Sequence, residues 1–197
     1  MRDIIINKQI NIIQKHNNFD EEKIAIIKYG LESIYILITK TVIVLSVSYL
    51  LGLLKETLIF LLFYNIIRTP SFGLHATKSW ICLVSSLLIF ILLPLLCKLI
   101  IITFPLKITL GLISILFIFK NAPADTYKRP IISKKRRLFF KIISTIIAFT
   151  MIIFALFIEN QFLANSLIFS IILQCFMISP SVYKFFKLPY NNYKNYI

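Results

Sequence analysis

Long apolar runs separated by short polar breaks fill the chain from residue 33 almost to its end. Runs over about 33–54, 57–67, 80–96, 101–119, 138–158 and 162–179 approach the ~20 residues a helix needs to cross a bilayer. The second run, Thr57 to Ile67, is short. It crosses by taking Lys55-Glu56 and Arg68 as interfacial ends, or else the Arg68–Lys78 segment re-enters the membrane within the protein. Residues 3–28 follow another pattern, with Ile4, Ile5, Ile6, Ile10, Ile12, Ile13, Phe19, Ile24, Ile26 and Ile27 interleaved with Lys, Asn, Gln, Asp and Glu. That interleaving predicts one or two amphipathic helices lying in the membrane interface, broken at Asn17-Asn18, with Asp20-Glu21-Glu22 opening the second. The predicted architecture is an all-α integral membrane protein. It is a single polytopic domain, residues 1–197, with six transmembrane helices and polar loops at 68–79 and 120–137.

Composition strengthens this reading. Hydrophobic residues make up 58% of the 197, against roughly 45–50% in soluble domains. The net charge of +14 would point to nucleic acid in a soluble protein. Here the enrichment of Lys and Arg in cytoplasmic loops explains it, and the expected partner is the lipid bilayer with no nucleic acid. With six spans and a cytoplasmic N-terminus, 18 of the 22 Lys and Arg fall on the inner side. Lys55, Lys98 and Lys107 fall outside, and Lys40 lies within a span. Both termini and both polar loops are thereby expected on the cytoplasmic face. The start of the chain lacks the pattern of a cleavable signal peptide. Three widely spaced cysteines do not form a disulfide framework.

The stretch RTPSFGLHATKSWIC, Arg68 to Cys82, holds the candidate chemistry. A thiol and an imidazole at a membrane boundary suggest a nucleophile with its base, Cys82 with His75. On one continuous helix, residues seven apart stand about 10 Å apart along the axis, too far for a hydrogen bond. A dyad therefore requires His75 to fold back from a loop over the first turns of the Cys82 helix, and Pro70 and Gly73 make such a turn feasible. A cysteine in an apolar helix is more often a small packing residue, which is the expectation for Cys97 and Cys175. His16, His75 and scattered cysteines lack paired metal-ligand spacing, so neither metal nor other cofactor is expected. Asp125 is the only acid in the basic loop. It either caps its Pro-Ala-Asp turn or pairs with Arg129, or it orients His75 or contacts a substrate. Lys134-Lys135-Arg136-Arg137 is a solvated, lipid-facing charge run by default, and it could also dock an acidic peptide.

Arg68, Gly73, His75-Ala76 and Cys82, followed by Ala122-Pro123-Ala124-Asp125-Thr126 and Pro130, resemble the AgrB family. These are the membrane peptidases of accessory-gene-regulator quorum sensing in Gram-positive bacteria. The similarity covers nearly the whole chain, with Phe72 standing where family members often carry a second glycine. The resemblance implies a cysteine endopeptidase that cuts an AgrD-like precursor peptide on its C-terminal side. Cys82 would attack with His75 as base, and the acyl group would then pass to a cysteine or serine of the peptide, closing a thiolactone or lactone. It further implies a homodimer, and carboxylate binding or loop support by Arg68 and Gly73. The precursor's acidic tail would suit the basic loop, with Lys128, Arg129, Lys134, Lys135, Arg136 and Arg137 beside Asp125. A small peptide transporter and a non-catalytic peptide-binding membrane protein are the alternatives, although no internal repeat or series of intramembrane acids favours transport.

Overall fold

A computed structural model describes residues 2–16, 19–74, 79–125 and 130–196, and among these the protein is all-helical. The chain divides into two compact units, residues 1–47 and 48–197.

The first unit holds α1 (Arg2–His16) and most of α2 (Glu21–Leu50). Asp20 begins α2 as expected of an N-cap, its carboxylate accepting the Lys23 amide at 3.2 Å, with Glu21 and Glu22 in the first turn. The helix then runs 30 residues without a break. A second interfacial helix separate from the first span is thus corrected: residues 21–28 and the first apolar run are one helix. Only Gly30 interrupts the sequence there, and one glycine costs a helix about 1 kcal/mol, too little to end it.

The first span was expected to reach residue 54, but α2 ends at Leu50. Gly52 takes φ 69°, its amide reaches the Tyr49 carbonyl, and the Leu53 amide reaches Ser48 at 2.8 Å. This is the paired 5→2 and 6→1 closure that a glycine just past a helix end permits. The chain re-enters helix at once as α3 (Leu54–Ser71). Lys55, Glu56 and Arg68 are therefore inside α3, which extends the short second run with charged residues toward both ends. The segments α4 (Ser79–Leu99), α5 (Phe104–Asn121), α6 (Lys134–Phe157) and α7 (Gln161–Met177) carry the remaining four apolar runs. A short α8 (Pro180–Phe185) and a 3₁₀ turn, Asn192–Tyr196, close the chain. Four of the helices, α2, α4, α5 and α6, are long and apolar enough to cross a membrane; α7, at 17 residues, is shorter.

The centre of the second unit is α7, which packs against α3, α4, α5 and α6. It buries residues on every side, including Asn165, Ser166, Ser170 and Gln174. Small and polar residues let neighbouring backbones approach and supply inter-helix hydrogen bonds. The Asn165 amide bridges the carbonyls of Cys97 (2.9 Å) and Ile100 (2.6 Å) at the end of α4. Near the same end the Lys98 ammonium meets Glu56 of α3 at 2.9 Å, and that hydrogen bond holds the Glu56 carboxyl below the usual range. At its other end, α7 reaches the segment that follows α3.

Candidate active site

Pro70 sits in the last turn of α3, which closes with the Phe72 amide on the Arg68 carbonyl at 3.0 Å. The backbone then turns through two residues of positive φ, Phe72 at 59° and Gly73 at 117°. For Phe72 this conformation is costly, of order 1–3 kcal/mol. Its ring is held edge-on against Phe140 with centroids 5.0 Å apart. The departure from glycine at this position thus leaves the turn intact. Gly73 has no such latitude. A Cβ there would lie 2.5 Å from Arg68 Nη1 and 2.8 Å from the Met177 carbonyl oxygen.

The turned segment is tied down from three directions. Arg68 Nη2 donates to the Leu74 carbonyl at 2.7 Å and to that of Gly73 at 3.4 Å. From α7, Gln174 Nε2 donates to the Phe72 carbonyl at 2.8 Å, and the Leu74 amide donates to Met177 at 3.0 Å. The third tie is a short parallel bridge between Phe72 and Ala124, in which Gly73 donates to Ala124 and Ala124 donates to Ser71. The two stretches that stood some fifty residues apart in sequence are therefore joined through their backbones.

Asp125 follows directly and is completely buried. Its Oδ2 accepts the Tyr193 amide at 2.9 Å and lies 3.6 Å from Arg137 Nη1. The Arg137 guanidinium in turn stacks 3.4 Å above the Tyr193 ring, a contact suited to its planar cation. Tyr183, also buried, donates to the carbonyls of Ala124 and Asp125 at 3.5 and 3.4 Å. Burial pushes its hydroxyl above the ordinary tyrosine value, opposed by the nearby Arg68 cation. Tyr190 packs edge-on against Tyr183 and donates to Asn121; its hydroxyl is also raised by burial. Of the two sequence-derived readings of Asp125, the structural one gains residues that sequence reasoning missed: Tyr183, Tyr190, Tyr193 and Gln174. Asp125 Oδ1 and Arg68 Nη1 are buried without a hydrogen-bond partner among the described residues.

Cys82 is half-buried in the first turn of α4. Cys82, Cys97 and Cys175 are all thiols rather than disulfide partners. His75, Lys128 and Arg129 lie outside the described residues. Lys134, Lys135 and Arg136 are exposed in the first turn of α6, where Ser133 caps the helix and no acidic residue is present. Cations at a helix N-terminus oppose the macrodipole, by about 0.3–1 kcal/mol each. That run is therefore not there to stabilise α6.

The chain matches the family model described as Accessory gene regulator B over residues 6–178. It is 32% identical over 181 residues to a putative AgrB-like protein of Clostridium acetobutylicum, covering 92% of this chain and 87% of that one. A putative AgrB-like protein of Listeria monocytogenes serovar 1/2a is 34% identical, with 90% and 87% covered. The accessory gene regulator protein B of Staphylococcus aureus strain MW2 is 32% identical, with 90% and 94% covered. No solved structure matches the chain.

Proposed function

The chain belongs to the accessory gene regulator B family, and from that membership in a quorum-sensing system we propose that it is a membrane cysteine endopeptidase that processes the system's precursor peptide. The observation that carries the reading is the backbone junction of Ser71–Gly73 with Ala124, the residue before Asp125. It fixes the chain immediately before the segment that contains His75 and leads into the helix bearing Cys82.

In this reading the Cys82 thiolate attacks the scissile carbonyl, with His75 taking the thiol proton. The peptide C–N bond breaks as His75 returns that proton to the leaving amine, leaving a thioester on Cys82. A cysteine or serine within the N-terminal product then attacks the thioester carbonyl. The C–S bond to Cys82 breaks, a thiolactone or lactone closes, and the enzyme thiol is regenerated. Keeping water out preserves the acyl group for ring closure, and a membrane-boundary site favours this.

Arg68 acts here as a positioning residue, since its guanidinium already holds the Gly73 and Leu74 carbonyls. Gly73 provides the close approach that lets it do so. Asp125 anchors the opposite stretch, and its Oδ1, without a hydrogen-bond partner among the described residues, is the acceptor that orients His75 in this reading. The precursor's acidic tail is assigned to the basic residues of this loop and the start of α6, Lys128, Arg129, Lys134, Lys135, Arg136 and Arg137. The topology proposed with this function has six crossings, an interfacial N-terminal helix, both termini and the site on the cytoplasmic face, and a homodimer.

Co-expression with the precursor, followed by mass spectrometry of the peptide, tests the reading. A shortened product with the wild-type chain, absent with Cys82→Ala and with His75→Ala, is the expected result. Full-length precursor crossing the membrane uncut would replace proteolysis by transport.

A further inference from the structure

Near the buried Asp125, an open cleft of about 350 Å³ lies between the end of α5, the start of α6 and the C-terminal tail. Lys120, Asn121, Arg137, Lys141, Tyr190 and Tyr193 line it. We propose that this cleft binds the phosphate headgroup of an anionic phospholipid. The inference does not depend on the protease reading.

Three cations face one space, and the carboxylate beneath them cannot neutralise them all. Asp125 is wholly buried and its Oδ2 is committed to Tyr193 and Arg137. Among the described residues, neither Lys120 nor Lys141 has an ion pair. The uncompensated charge is therefore concentrated where a phosphodiester could bridge the two lysines.

The lip of the cleft selects the source of that phosphate. Lys141 Nζ sits 4.6 Å above the Phe119 ring, so a cation stands directly over an apolar surface. Phe119 is 54% exposed, and Leu116, Leu138 and Ile142 beside it on α5 and α6 are also exposed. Both helices are long and apolar enough to cross a membrane. A headgroup held by Lys120 and Lys141 would thus lay its acyl chains over Phe119 and Leu116. Basic pockets between the ends of membrane helices bind anionic headgroups in this way. A soluble phosphate or an acidic peptide would make no use of the apolar lip.

The test uses the full chain in neutral detergent and native mass spectrometry, with phosphatidylglycerol titrated against phosphatidylcholine. Saturable, preferential phosphatidylglycerol binding is expected. It should weaken about fivefold for Lys120→Gln or Lys141→Gln alone and about thirtyfold for the pair. The exposed tail pair Lys184→Gln/Lys187→Gln removes the same charge away from the cleft and should leave binding within about twofold of the wild-type chain. Lys120 is exposed, so its single variant retains the fold if the double variant does not. Equal binding of the two lipids, or equal loss in the cleft and tail variants, would overturn the proposal. So would displacement of the lipid by millimolar inorganic phosphate or by a glutamate-rich peptide.

Discussion

Replacing Gly73 by alanine probes the junction with a single methyl group. The new Cβ would stand 2.5 Å from Arg68 Nη1, 2.8 Å from the Met177 carbonyl oxygen and 3.2 Å from its carbon. Two of these atoms are backbone and cannot rotate away. The φ of 117° adds strain of about 1–3 kcal/mol for any residue with a Cβ. Moving the guanidinium aside sacrifices its bonds to the Gly73 and Leu74 carbonyls, and a hydrogen bond from a charged group is worth about 1.5–3 kcal/mol. The expected cost to the local arrangement is thus about 2.5–6 kcal/mol. The helices themselves are untouched, so most of it should appear as displacement of residues 72–74. Precursor cleavage should fall at least about a hundredfold, a loss of ~2.7 kcal/mol in transition-state stabilisation. The melting temperature in detergent should drop by only a few degrees. Quantified product formation beside a thermal melt makes both measurements. Wild-type cleavage by Gly73→Ala would refute the claim that this close approach builds the site. Phe72→Gly provides the contrast: it relieves the positive φ but loses the edge-on contact with Phe140, and should retain activity within about tenfold.

Asp125→Ala leaves Arg137 without its partner and removes the Tyr193 anchor; a stability loss of about 3 kcal/mol is expected by denaturant or thermal unfolding. Truncation after Leu188 removes Tyr190 and Tyr193, and should lower cleavage by an amount similar to Asp125→Ala without an additive effect when the two are combined. Asn165→Leu removes the side-chain donor of the Cys97 carbonyl and leaves Ile100 with Gln161 Nε2 alone, and should cost about 1–3 kcal/mol in the same unfolding assay. Tyr183, raised by burial, keeps its proton in the folded state after the unfolded chain has lost it. Its contribution is complete below about pH 10 and declines as pH rises further, so Tyr183→Phe should flatten the alkaline limb of a stability–pH curve.

The apolar runs located the helices long and apolar enough to cross a membrane, because a lipid-facing helix must be apolar over nearly its whole length, as in α4, α5 and α6. The family resemblance rested on Arg68, Gly73, His75-Ala76, Cys82 and the stretch from Ala122 to Pro130, and the family match over residues 6–178 bears it out. Helix ends were harder to read. The residue that ends α2 is marked by Gly52, whereas Phe72 hides a glycine-like conformation that only the surrounding ties sustain. The central place of α7 was within reach: Asn165, Ser166, Ser170 and Gln174 distribute polar atoms around a helix too short to rely on lipid contact. The tail was not. Tyr193 meets Asp125 across 68 residues, and no periodicity or local spacing encodes a contact of that range. Arg129, one of the partners considered for Asp125, lies outside the described residues; the described ion pair uses Arg137, one turn into α6. His75 and the fold-back required of it lie outside the described residues, so that geometric condition passes to experiment.

The central claim is that Cys82 carries the acyl group. Incubating the reconstituted chain with a precursor whose ring-closing cysteine or serine is changed to alanine should stall the reaction at the thioester. Intact-protein mass spectrometry would then show the chain heavier by the N-terminal peptide product. Proteolytic mapping should place that mass on the peptide containing Cys82, and hydroxylamine should release it. A precursor cut with no covalent intermediate, or an adduct on Cys97 or Cys175, would contradict the account.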